Sequence, residues 1–261
     1  MAPIQTTFMP NLFKTIRKQL AADNKPMRYF RYAFGEIILV VIGILIAVGI
    51  NNWNKERLLN IKADSLIKRL YTETSKNVHS LDVQIALITK SHSEVLTLLG
   101  LFGPDYHTLD ERYVDSLLYS IILTPIYDYS TATLDEALNT GLVSIIRSDS
   151  LRALLYTVHQ KIDEIKDYEL EMTNNIESVV LPYLHNEISL FQIDMRFNTS
   201  TLSHLENKLN EVDNRAILTK RQFQNMVDES FFTIETLILG YEGLEQTLKL
   251  TLDNLRTEIK E

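Results

Sequence analysis

The feature that most limits what this chain can become is an apolar run, IILVVIGILIAVGI, which fills positions 37–50 without one charged side chain. Its 14 residues are too few to span a bilayer as a helix. Extension to Tyr32 and Trp53 gives 22 residues, and at 1.5 Å each a helix of about 33 Å does span. The flanks justify that extension. Tyr29, Phe30, Tyr32 and Phe34 form one aromatic belt, Trp53 supplies the other, and Asn51 and Asn52 offer amides to headgroups. Glu36 falls about one turn inside the first interface, where its carboxylate can reach outward toward Arg28 or Arg31, be protonated, or meet a partner's basic group or a second copy of this helix. Ala47-Val48-Gly49 has the small residues of a signal-peptide cleavage site, but it abuts the apolar core without a polar spacer, which favours a retained anchor.

Gly35, Gly43 and Ala47 recur at multiples of four and share one helix face, and Gly43-x-x-x-Ala47 is a small-residue pair of the kind that lets two helices approach. Before the span, residues 11–20 read as a short amphipathic helix with Leu12, Phe13, Ile16 and Leu20 on one side and Lys14, Arg17 and Lys18 around the other, suited to an anionic leaflet.

Charge separates this foot from the rest. Residues 1–54 carry six cationic side chains against two acidic ones, leaving twenty against thirty-two in residues 55–261. A net +4 foot suits a lipid surface, and a net −12 body lacks the basic patch that nucleic acid needs. The absence of cysteine excludes disulfides, thiol catalysis and cysteine-ligated metals. The expected domains are a basic segment (1–31), a transmembrane helix (32–53) and a soluble helical domain (54–261).

The segment YAFGEIILVVIGILIAVGINNWNKER (32–57) resembles the N-terminal signature of a family of Bacteroidota membrane proteins of unknown function, through Gly35-Glu36-Ile37, Val41-Ile42-Gly43-Ile44, Asn51-Asn52-Trp53-Asn54 and Glu56-Arg57. A fainter likeness runs through TLDEALNTGLVSIIRSDSLRALLYTV (133–158), and Gly49 stands where the family has a larger residue. The resemblance implies a single-pass inner-membrane protein with a periplasmic C-terminal domain, and no enzymatic activity. The cations flanking the span, six before and five shortly after, favour an inside N-terminus only modestly.

Between Gly49 and Gly100 there is neither glycine nor proline, and apolar residues such as Ala63, Leu66, Leu70, Leu81, Ile88 and Val95 recur at helical spacings. One rod leaving the anchor is expected, ended by GLFGPDYHT (100–108). Thr108-Leu109-Asp110-Glu111 and Thr133-Leu134-Asp135-Glu136 both read as capping boxes opening short helices, the first closed by Pro125 and the second by Gly141. Ser148 or Asp149 caps a third long segment that Pro182 kinks or breaks. SLFQIDMRFNTS (189–200) reads as loop, and a last rod runs from about Asp213 to Ile259, with Gly240 and Gly243 pointing to close packing. The expected fold is all-α: an N-terminal transmembrane helix continuing into an antiparallel bundle of about four long helices with one broken connector.

The motifs of di-iron bundles, zincins, P-loops, dinucleotide folds and serine-hydrolase elbows are absent. The acidic run DEIKDYELE (163–171) reads as a solvated face. Tyr113, Tyr119, Tyr127 and Tyr129, with Arg147 and Arg152 nearby in sequence, are residues of a kind that more often finish a core or pack a loop; the alternative is a small anion pocket at a bundle end, for which Tyr127, Tyr129, Arg147 and Arg152 are the candidates. No cofactor or metal is expected. The expected function is a non-catalytic envelope scaffold or interaction module, with lipid, a second copy or another membrane protein as partner. The alternative is a ligand-binding sensory subunit reporting through a partner membrane protein.

Overall fold

The computed structural model describes residues 26–122, 126–197, 205 and 209–260. The amphipathic segment expected over 11–20 and the helix-closing Pro125 lie outside the described residues, as does the side chain of Tyr32. Among the described residues there are seven α-helices and no strand: α1 (Pro26–Leu99), α2 (Glu111–Ile122), α3 (Ala132–Asn139), α4 (Asp149–Asn175), α5 (Leu181–Glu187), α6 (Leu190–Phe197) and α7 (Arg221–Lys260). The fold is all-α. The chain divides into two compact units, 1–61 and 62–261.

α1 is a single helix of 74 residues. Pro26 stands at its first position, where a missing N–H costs nothing and the fixed φ suits a helix. At its other end the Gly100 N–H bonds the Leu96 and Thr97 carbonyls at 3.3 and 3.0 Å, turning the chain as expected.

In the second unit, α1 from Lys62 onward buries one stripe. Leu66, Leu70, Leu81, Ile88, Val95 and Leu98 are at most 2% exposed, and each such side chain contributes about 1.5–3 kcal/mol of burial. The chain then comes back along α1 as a broken arm formed by α2, residues 126–131, and α3. Asn77 of α1 bonds Ser130, and Arg69, two turns earlier on α1, pairs with Glu136 at 2.7 Å. α4 runs parallel to α1 and α7 antiparallel to both. Lys249 meets Asp82 at 3.5 Å while the Phe231 ring stacks on His92 at 4.4 Å. The bundle thus has four arms, one of them broken.

The caps depart from the expected boxes. Asp110 caps α2, accepting from the Tyr113 N–H at 2.8 Å, while the Thr108 hydroxyl donates to the Asp105 carbonyl. α3 is capped from outside itself: the Thr133 and Leu134 N–H groups donate to the two Glu73 oxygens at 2.7 and 3.0 Å. Ser148 caps α4, accepting from the Leu151 N–H at 3.2 Å, and Gly141, at φ +72°, stops α3 in the left-handed region as glycine readily does.

Pro182 neither ends nor breaks its helix. A π-helical turn, Ile176–Val180, joins α4 to α5; the wider turn accommodates a residue that lacks an N–H and whose ring would press on the carbonyl four positions back. The stretch read as loop contains α6, which the spacing of Leu190, Ile193 and Phe197 already marked. The last rod opens with a 3-10 turn, Asn214–Thr219, and becomes α-helical only at Arg221. Beside α7's glycines α4 passes closely: a Cβ on Gly240 would lie 3.5 Å from Ile165 Cγ1, and one on Gly243 3.2 Å from Lys161 Nζ.

Candidate functional site

Two places carry the residues singled out in the sequence. The first is the apolar segment of α1. Among the described residues it is the one helix long and apolar enough to cross a membrane, with a mean hydropathy of 2.4 over its best window and none of that window buried within the protein. Ile37, Leu39, Leu45 and Ile50 are 61–71% exposed, and Trp53 is 64% exposed. Asn51 and Asn52 are exposed, whereas Glu36 is half-buried. A Cβ added at Gly35 or Gly43 would meet no atom within 4 Å, so the face they share with Ala47 is open along the chain.

The second place is the middle of the bundle. Tyr127 and Tyr129 stand ahead of α3, outside any helix, and pack edge to face, ring centroids 4.3 Å apart. Their polar partner is Glu169 of α4. One carboxylate oxygen, Oε1, accepts from the Tyr127 N–H at 3.1 Å, from the Tyr129 hydroxyl at 3.2 Å and from the Tyr241 hydroxyl of α7. The Tyr127 hydroxyl donates to the Asn77 carbonyl of α1 at 2.7 Å. Three long helices and the broken arm therefore meet at one buried cluster.

Burial, with the Glu169 carboxylate beside them, raises the Tyr129 and Tyr241 hydroxyls above the ordinary phenol range. Burial also raises Tyr127, with Asp128 and then Glu169 adding to it. All three phenols donate, Tyr129 and Tyr241 to Glu169 and Tyr127 to the Asn77 carbonyl. Chemically it is a clamp on the segment that leads into α3.

Glu169 was hidden in the acidic run read as a solvated face. Asp163, Glu164, Asp167 and Glu171 are exposed as expected, but Glu169 is only 5% exposed. It shares a stripe with Ile162, Ile165 and Met172, and that period was the available signal.

Arg147 and Arg152 do not join the tyrosines. Arg152 donates to the Ile146 carbonyl and pairs with Asp149 at the start of α4, 17 residues, or about 26 Å of helix, before Glu169. Arg147 is exposed. The four residues do not form one pocket, because guanidinium and phenols are held at different levels of the bundle.

A second polar knot closes the far end. Asp115 of α2, 1% exposed, accepts from the Asn214 amide at 2.9 Å and pairs with Arg196 of α6. Burial raises its carboxyl despite those partners. Among the described residues no group of three histidine or carboxylate side chains is placed to hold a metal ion. No family model matches the chain, and neither a curated protein nor a solved structure does so.

Proposed function

We propose that this is a non-catalytic envelope protein, held in the inner membrane by the helix over 32–53, whose helical body serves as a scaffold or interaction module on the periplasmic side. The partners in this reading are lipid and either a second copy or another membrane protein. It places the chain with the Bacteroidota family that its first span resembles.

One observation carries the proposal: a run of 14 apolar residues whose side chains are exposed all round, in a chain whose body buries its own apolar stripe thoroughly. A monomer in water rarely carries so large a contiguous apolar surface, and lipid or a partner helix relieves its exposure. The buried carboxylates of the body, Glu73, Asp115 and Glu169, are by contrast engaged in holding its elements together. That supports a part that is recognised over one that performs chemistry.

The test is extraction of the full-length chain from membranes with alkaline carbonate, paired with crosslinking in intact cells and mass spectrometry. Retention in the pellet with a repeatable crosslinked partner is the expected result. Release of intact, unprocessed chain removes the anchor, and recovery of monomer alone removes the scaffold.

A further inference from the structure

Along α1 in the second unit, Ser65, Lys68, Arg69, Thr72 and Lys76 recur at three- and four-residue spacings and form one wall of a groove of about 460 Å3. Ser130 and Thr133 of the broken arm form the opposite wall. The walls are pinned together. The Asn77 amide donates to the Ser130 carbonyl at 2.8 Å and accepts from the Ser130 N–H at 3.1 Å. Both oxygens of Glu73 hold the amides of Thr133 and Leu134. A groove with both lips fixed in this way is formed before anything enters it.

The charges at its surface are unevenly engaged. Glu73 faces the amino end of α3, whose partial positive charge offsets it. Arg69 offers its fork to Glu136, at 2.7 and 3.2 Å, and that contact lowers the Glu136 carboxyl and raises the Arg69 guanidinium. Lys68 and Lys76 make no ion pair with any described residue. They lie eight residues apart, or about 12 Å along the helix, with Thr72 midway between them. In a body of net charge −12, two unengaged ammonium groups flanking one preformed groove are a local exception. Salt screens the remainder of the body beyond about 8–10 Å, so the local pair governs what enters.

We propose that this groove binds a phosphate group between Lys68 and Lys76, with the Ser130 and Thr133 hydroxyls donating from the opposite wall. Phosphate suits it better than carboxylate. A planar carboxylate is best met by a guanidinium fork, and the only fork here already holds Glu136, while ammonium groups and hydroxyls arranged on two walls suit a tetrahedral oxyanion. The phosphate is either a free or esterified solute or a lipid headgroup; the chemistry is common to both.

The experiment follows the melting temperature of the full chain by circular dichroism. In neutral detergent it is titrated with inorganic phosphate; in a second arm it is reconstituted into phosphatidylcholine with and without phosphatidic acid. A saturable rise with inorganic phosphate identifies a solute site, and a rise confined to phosphatidic acid identifies a headgroup site. In either case Lys68→Gln with Lys76→Gln weakens binding by at least about tenfold, as loss of charge-assisted hydrogen bonds demands. Lys90→Gln, which alters an exposed lysine paired with Glu94 elsewhere on α1, leaves it unchanged. Absence of a rise with both probes overturns the proposal, as does a rise of equal size in the double variant. Because both lysines are exposed, the variants retain the fold, and their melting temperature without probe verifies it.

Discussion

Residues 37–50 and residues 66–98 belong to the same helix and are both rich in leucine, isoleucine and valine, yet their side chains meet opposite fates. In the first segment apolar residues occupy every position, and Ile37, Leu39 and Leu45 are each more than 60% exposed. In the second they recur every three or four residues among Asp, Glu, Lys and Ser, and Leu81, Ile88, Val95 and Leu98 are fully buried. Apolar content alone therefore does not decide burial. Pattern does: a stripe can be covered by two neighbouring helices, whereas a cylinder that is apolar all round needs a surrounding apolar medium.

The comparison can be broken most directly by exchanging the damage. Leu81→Ala should destabilise the body by about 2–5 kcal/mol in chemical denaturation and leave carbonate extraction unchanged. Ile44→Arg should release the chain from membranes, a centrally placed arginine costing roughly 2.5–3.5 kcal/mol, with the melting of the body unchanged. If either variant produces the other's phenotype, the two segments are not the distinct environments described above.

A sharper version concerns polar groups buried on the body side. Glu169→Ala leaves two tyrosine hydroxyls and one amide without their acceptor, and should cost roughly 2–4 kcal/mol. Glu169→Gln keeps an acceptor oxygen and should cost about half as much, measured by the same denaturation. Smaller again is the cap on α3: Glu73→Ala should cost about 1 kcal/mol, with faster amide exchange at Thr133 and Leu134 as its signature.

The smallest effect is on pH. The hydrogen bond from Arg215 holds the Asp213 carboxyl below its ordinary value of 3.8. A depressed carboxyl contributes stability above its unfolded value and loses that stability as pH falls through the folded one. Asp213→Asn should therefore flatten the decline of melting temperature below about pH 4, and only slightly, because the pair is largely solvated.

Much of this architecture could be read from residue order. The lack of glycine and proline between Gly49 and Gly100 gave the long helix, Gly141 gave a stop, and the spacing along α7 gave its buried face. What local pattern could not give were acceptors supplied from a distance. Thr133-Leu134-Asp135-Glu136 has the form of a capping box, but the cap comes from Glu73, sixty residues earlier. Nearness in sequence groups Tyr127 and Tyr129 with Arg147 and Arg152, and no local pattern marks the two tyrosines as an edge-to-face pair. Their actual partner, Glu169, lies on another helix, where only the register of one stripe marks it as inward-facing. α6 was a different kind of miss: its spacing was visible, and the polar residues around it outweighed that spacing.

Over residues 126–131 and the first turn of α3, the broken arm lacks the hydrogen bonds that a helix interior makes within itself. The amides of Tyr127, Ser130, Thr133 and Leu134 are satisfied instead by Glu169, Asn77 and Glu73, three side chains on two other helices. A helix tolerates almost any exchange of side chains because its ladder is written in backbone. This arm has no such indifference, and its upkeep rests on three distant codons. Divergence among descendants of this chain should accordingly be slow at those three positions and faster at the exposed positions of the connection itself, Ile126, Asp128 and Ser130.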